Sequence, residues 1–446
     1  MPASIRKLVL QEWGRSDASM HQELQGLHLD DEEIASAARA LRQGDLLRVE
    51  DRRDGLLIQA RRHVGVVQLG PLQVIVQPRL PPKDLWYILA YGMGLEGMKR
   101  RSRVELLLPD APFTDLLALA LLEEAEQLWQ HGLRRNYYRR EEWLASPRGR
   151  IDMSRLAAAV PLAEAALPCS HHQLSTDIPE NQMVRSGLWM ASQMVYSPSV
   201  KTEIRRAERQ WGEVCRRIPL DEPKLRRLEQ GLTRLTETYA PVLRLVTLLH
   251  GGKGTADELD AVGSGDPVNL PGFLWNMATL FERFVAQFLQ KHLRGADIRR
   301  QSKIETLYKV IQAPPRTRKP RPRPDILIER AGQVVAVLDT KYTDLQGGGL
   351  DSEILYQMSV YALAYGSETA SGRIFPAIVL YPQVDSPRDD VVYALSDGRG
   401  GMKSHIIVRA IDWGDASRAM RDPARSAELP LIAEKWTRQH DARPLS

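Results

Sequence analysis

The sequence predicts an α/β chain, α+β overall. Its C-terminal part should form a mixed central sheet flanked by helices, behind a small β-rich N-terminal module and a mainly helical middle region. Three observations predict this. Ile326-Leu327-Ile328 and Val334-Val335-Ala336-Val337-Leu338 flank a short glycine-containing turn, Glu329-Arg330-Ala331-Gly332-Gln333, which is the pattern of a β-hairpin. Apolar residues recur at helical spacing on both sides of that hairpin, over 273–293 and 352–365. Short apolar runs at 56–59, 64–69 and 72–77, the last two joined by Gly70-Pro71, read as strands.

In chain order, residues 1–100 open with an acidic stretch, Asp30-Asp31-Glu32-Glu33, that suits a helix start, then give the three strands and an amphipathic helix over 83–93. Residues 101–265 carry helical spacing at 113–133, 181–195 and 225–249, and the glycine-rich stretch 251–267 reads as a linker. Residues 266–446 form the last part. Its first helix, 273–293, has a stripe of Leu274, Met277, Ala278, Phe281, Val285 and Phe288 with Glu282 at the edge. A strand over 303–311 precedes the hairpin. The second helix sets Gln357 and Tyr361 four apart beside Ile354, Met358, Ala362 and Tyr365, and a strand over 374–381 follows.

The chemistry concentrates at the hairpin. Asp325 opens its first strand and Asp339 closes its second, and side-chain alternation puts Asp339 and Lys341 on one face. A charged D-x-K ending an apolar strand is costly to bury unless it has a use. Hydrolysis of a phosphodiester needs a positioned hydroxide and a cation to take up charge. Asp325 and Asp339 are hard oxygen ligands suited to magnesium, with the Thr340 carbonyl a further ligand and Glu282 a third carboxylate. Lys341 would orient or deprotonate the attacking water and stabilise the phosphorane.

Basic residues gather in three places. Arg316, Arg318, Lys319, Arg321 and Arg323 crowd between prolines ahead of Asp325. Such a loop is extended and either simply solvated or a contact for DNA phosphates; the second reading is favoured beside a catalytic site. Lys201, Arg205, Arg206, Arg209, Arg216, Arg217, Lys224, Arg226 and Arg227 interleave with Glu203, Glu208 and Glu213, so a solvated, salt-bridged face is expected before a DNA or partner surface. The cluster Arg134-Arg135-Asn136-Tyr137-Tyr138-Arg139-Arg140 is either a clamp for a single strand or an edge strand leading into Trp143. His171-His172 reads as a core or surface pair because no third ligand lies at a useful spacing.

Composition bounds the class. The chain has 446 residues, 43% hydrophobic and 26% charged, with net charge +5, enough for two or three packed domains and a mild excess that suits a polyanion. Cys169 and Cys215 are the only cysteines, which excludes a disulfide framework or a cysteine-rich zinc site. No apolar run reaches the roughly 18 to 20 residues of a membrane span, so no membrane is expected and the cytoplasm is the expected location. His250-Gly251-Gly252-Lys253-Gly254-Thr255 imitates a phosphate loop, but Thr247 and Gly254 stand where a Walker A needs Gly and Ser or Thr. No nucleotide is expected on this chain.

The order of P-D, D-x-K and a following Q-x-x-x-Y resembles the PD-(D/E)xK nuclease superfamily. The chain is more specifically similar to the McrC family, the nuclease subunits of McrBC modification-dependent restriction systems. Three further segments carry that resemblance: His63-Val64-Gly65-Val66-Val67 with residues 74–80, Arg148-Gly149-Arg150-Ile151-Asp152, and Leu174-Ser175-Thr176-Asp177-Ile178-Pro179-Glu180-Asn181. By motif match the resemblance implies Asp325, Asp339 and Lys341 as catalytic, with Glu282 and Gln357 assisting by helix position; the third-position acid is aspartate here. It further implies Mg2+, with Mn2+ as a substitute, and double-stranded DNA, methylated or otherwise modified, as substrate. The implied partner is an McrB-like AAA+ GTPase ring, docked through 1–100 and 101–265. Two other readings stand beside this one: a stand-alone PD-(D/E)xK repair nuclease, against which the upstream segments argue, and a non-enzymatic activator of the ring, against which the intact D-x-K argues.

Overall fold

A computed structural model describes residues 6–92, 112–158, 166–234, 236–251, 272–301, 322–343, 350–366, 375–383, 388–396 and 401–439. Two compact units result, one from Met1–Asp110 with Val262–Ser446 and one from Ala111–Ala261.

The first unit starts with β1 (Arg6–Gln11), β2 (Arg15–Ser16), α1 (Glu32–Gln43), β3 (Leu47–Arg52), β4 (Gly55–Ala60), β5 (His63–Leu69), β6 (Leu72–Gln77) and α2 (Pro82–Gly92). As the acidic stretch suggested, Asp31 caps α1 by accepting from the Glu33 and Ile34 main-chain nitrogens, an anion at the positive helix end. Gly70, at φ 54, makes the β5–β6 turn in a conformation that suits glycine. β1 pairs parallel and β5 antiparallel to β6, while β2, β4 and β3 form a second small sheet. Leu8, Leu41, Val49, Ile58, Val67 and Val74 share one core between these elements.

The second unit comprises α3 (Phe113–His131), β7 (Asn136–Leu144), β8 (Arg150–Ile151), α4 (Met153–Ala158), β9 (Leu167–Ser175), α5 (Pro179–Met194), α6 (Pro198–Gly212), α7 (Glu222–Gln230) and α8 (Ala240–Gly251). One expected helix, 225–249, is two: Gly231 ends α7 and Pro241 suits the first turn of α8 rather than a helix interior. Asn136 to Arg140 of the basic-aromatic cluster lie on β7, an edge of the three-stranded sheet β7-β9-β8, with Arg134 and Arg135 just before it. His171 is buried 3.4 Å from a Glu142 carboxylate oxygen, whereas neighbouring His172 is exposed, so the pair splits across the strand. Asn181, last of the third family-like segment, donates to the Thr176 and Arg134 carbonyls and accepts from Tyr239, knitting that segment into the unit. Arg205, Arg206, Arg209, Arg216 and Arg217 are exposed, as a solvated face requires, while the ion pairs Arg185–Glu208 and Arg216–Asp177 tie the stretch to α5 and the residues before it rather than along one helix.

The chain rejoins the first unit as β10 (Gly272–Asn276), α9 (Met277–His292), β11 (Asp297–Arg300), β12 (Ile326–Arg330), β13 (Gln333–Thr340), α10 (Ser352–Gly366), β14 (Phe375–Pro382), β15 (Val391–Ser396), β16 (Met402–Ile411), α11 (Trp413–Arg421) and α12 (Leu429–Thr437). Residues 273–276, expected as helix, are strand: β10 pairs antiparallel with β5, and a tertiary partner decides between two periods that a short apolar run fits equally. Asn276 then caps α9 through the Ala278 nitrogen at 2.9 Å. The parts expected at 1–100 and 266–446 thereby share a sheet.

The order β11-β12-β13-β14-β16-β15 makes the expected mixed sheet, with β12–β13 antiparallel and β13–β14 and β14–β16 parallel. β11 holds the edge of this sheet, paired with β12; the strand expected over 303–311 lies outside the described residues. Ala331 and Gly332 turn the hairpin at φ 50 and 77, as a two-residue turn of matching twist requires. Met358, Tyr361 and Ala362 of α10 pack on Val337, Ala377, Val379 and Ile406 of the sheet. Among the described residues no helix is long and apolar enough to cross a membrane.

Candidate active site

β13 is central in its sheet, and its residues Val337 and Leu338 are fully buried. Asp339 follows them at 1% exposure, one pleat on from apolar core. Burial raises its carboxyl from the ordinary 3.8 to about 6; the Asp325 and Glu282 charges push the same way and Lys341 opposes. Lys341 Nζ lies 2.7 Å from Asp339 Oδ2. That ammonium is the charge set against the buried oxygen, and no group of another described residue donates to it.

Asp325 precedes β12, opposite the end of β13. Its Oδ2 accepts from the Thr340 nitrogen at 2.7 Å and the Thr340 hydroxyl at 2.8 Å, which locks the two strand ends together. Lys341 donates to the Gln357 Oε1 at 3.4 Å, and Gln357 Nε2 donates to the Tyr361 hydroxyl at 2.9 Å. The four-residue spacing on α10 therefore aims an acceptor at the lysine.

Glu282 projects from α9. Burial first, then the Asp325 charge, raises its carboxyl, while a hydrogen bond from Gln301 opposes. Asp325, Asp339, Lys341, Gln357 and Glu282 are thus brought together from four separate stretches of the chain. Arg323 is exposed and bonded to Gln301; Arg316, Arg318, Lys319 and Arg321 lie outside the described residues. Sequence reasoning missed Gln301, which follows edge strand β11, because nothing in its local pattern marks it.

Among the described residues no three His, Cys, Asp or Glu side chains close into a ready metal cage. Magnesium does not need one, since it keeps waters and takes one or two carboxylates plus substrate phosphate. A buried carboxylate that faces one lysine ammonium, with the negative charges of Asp325 and Glu282 acting on it, is short of positive charge, so the donor set fits a bound cation.

Residues 58–382 match the family described as McrBC 5-methylcytosine restriction system component. The fold is similar to a chain in the refined half-complex from a tetradecameric assembly of Thermococcus gammatolerans McrB AAA+ hexamers with bound McrC. That likeness has a TM-score of 0.61 at 18% identity, over 94% of this chain and 100% of that one. A chain of the Thermococcus gammatolerans McrBC complex, seen by cryo-electron microscopy, gives a TM-score of 0.43 at 15% identity, over 64% and 88% of the two chains. None of the curated proteins matches.

Proposed function

The chain belongs to the family of McrBC 5-methylcytosine restriction system components, and we propose that it is the McrC-type endonuclease subunit, cutting double-stranded DNA by metal-dependent phosphodiester hydrolysis. The observation that carries this reading is the ion-paired Asp339–Lys341 at the end of a buried strand, under the electrostatic influence of Asp325 and Glu282.

Asp325, Asp339, the Thr340 carbonyl and Glu282 would hold Mg2+, or Mn2+ in its place. A cation bound there supplies charge stabilisation at the scissile phosphate and a more acidic water. Lys341, steadied by Gln357, orients the attacking water and stabilises the charge that develops on the phosphoryl oxygens. Arg323, with Arg316, Arg318, Lys319 and Arg321, contacts the DNA backbone.

The motor, on this reading, is a second polypeptide: an McrB-like AAA+ GTPase ring that recognises methylated or otherwise modified DNA and is stimulated by this chain in the cytoplasm. The family description and the named composition of the structurally similar assembly support such a partner. The test is cleavage of methylated and unmethylated plasmid in magnesium, with and without the AAA+ protein and GTP. Cutting is expected only of methylated plasmid with all components, and Asp339→Ala should abolish it while GTPase stimulation persists. Cutting by the chain alone would replace this reading with a stand-alone nuclease.

A further inference from the structure

Gln301 follows edge strand β11 at φ 46, a left-handed conformation that residues other than glycine and asparagine seldom adopt. Such strain persists where surrounding contacts over-determine it. Four contacts do so here. The Gln301 nitrogen donates to the Asp325 carbonyl at 2.8 Å, and its own carbonyl accepts from Arg323 Nε at 2.9 Å. Its side-chain Oε1 accepts from Arg323 Nη2, and its Nε2 donates to Glu282 Oε1 at 2.8 Å.

The chemistry of these partners leaves one orientation. A guanidinium only donates and a carboxylate only accepts, so the amide oxygen must face Arg323 and the amide nitrogen must face Glu282. The residue therefore joins three elements that sequence leaves far apart: α9 through Glu282, the entry to β12 through Arg323, and the candidate ligand Asp325 through the main chain.

From this juxtaposition we infer that Gln301 is a positioning residue of the cation site, holding one oxygen of Glu282 so that the other serves the cation, and fixing Arg323 beside the scissile phosphate. The inference rests on the reading of Asp325 and Asp339 as cation ligands. A backbone-only role would be met better by glycine, which reaches this φ without strain. The bidentate clamp on Arg323 and the single bond to Glu282 give the glutamine side chain its separate use, since an outer partner of a ligand sets that ligand's orientation.

The experiment is Mn2+ titration by calorimetry on the full-length chain without DNA, in parallel with magnesium-dependent plasmid cleavage in the complete system. The variants are Gln301→Met, Gln301→Gly, Glu282→Gln and Asp339→Ala. Loss of an outer partner typically lowers metal affinity about 10- to 100-fold, and both Gln301 variants should fall in that range, with Glu282→Gln, which removes the ligand itself, falling at least as far. Met retains the strained φ and Gly relieves it, so agreement between them, with the thermal midpoint of the Gly variant preserved, excludes a folding defect. Unchanged Mn2+ affinity in both Gln301 variants, with binding lost in Asp339→Ala, would overturn the inference and leave the active site standing. Unchanged affinity in Asp339→Ala would overturn the cation site itself, and the inference with it.

Discussion

Asp339 is where the conflict between folding and chemistry is sharpest. Its carboxyl sits at 1% exposure, is raised to about 6, and is relieved by one lysine. A carboxylate whose folded pKa exceeds its unfolded one weakens the fold as it ionises. Its stabilising contribution is complete below about 4 and is lost as pH rises through about 6. Asp339→Asn should therefore abolish cleavage and yet raise the thermal midpoint at pH 8 in the absence of divalent cation, because it removes a buried charge beside Asp325. A lower midpoint would show that the carboxylate is structural. Lys341→Met should act oppositely on the carboxyl, since the ammonium holds it down: the pH below which Mn2+ ceases to bind should move up, with cleavage slowed. A pH midpoint of Mn2+ binding that does not move would mean that the 2.7 Å ion pair has no electrostatic consequence. The grouping of Asp325, Asp339 and Lys341 was readable from sequence because all three lie on one hairpin, where alternation and a short turn suffice. Gln301 was not, because its role is a set of tertiary hydrogen bonds at an edge.

Between elements, the residue after Lys341 does different work. Tyr342 donates from its hydroxyl to both oxygens of Glu12 at 2.8 Å, and the Arg79 nitrogen also donates to Glu12 at 2.8 Å. The end of β13 is thereby tied to the ends of β1 and β6. Glu12 is 1% exposed, and burial lifts its carboxyl from 4.5 to about 7 against the opposing pull of those donors. The folded chain thus prefers Glu12 protonated. That preference is fully present below about 4.5 and lost as pH rises through about 7, a change of about 3 kcal/mol at roughly 1.4 kcal/mol per unit. Glu12→Gln mimics the protonated form, so its thermal midpoint should gain on the parent's between pH 5 and pH 8. Equal slopes for the two proteins would mean that water reaches the carboxylate. Neither this link nor β10 was visible in sequence. Local alternation reveals that a run can be a strand, but not that Trp275 pairs with Val64 or that Tyr342 meets Glu12.

For the whole molecule, the consequence is that the sheet carrying the candidate site lies in a unit built from two separate stretches of sequence, although its motifs occupy one of them. The unit that carries it is built from both ends of the chain, with Ala111–Ala261 forming a compact unit of its own in between. The two ends meet through backbone pairing of β10 with β5 and through Glu12 with Tyr342. They meet again where the Tyr91 ring of α2 packs against Phe284 and Phe288 of α9, and where Arg421 and Ser417 donate to Asp84. Removing the first end would expose those aromatic faces and leave β10 with no neighbour, and burial of such rings contributes strongly to holding two elements together. A fragment of residues 262–446, although it contains Asp325, Asp339, Lys341, Gln357 and Glu282, should therefore show no cooperative thermal transition and no Mn2+ binding. Co-expression with residues 1–110 should restore both, the two fragments co-purifying as a complex. The decisive comparison is calorimetric: if 262–446 alone unfolds cooperatively at the same temperature as the pair, the shared sheet contributes nothing to the stability of the catalytic one, and the active site is held by its own hairpin and helices.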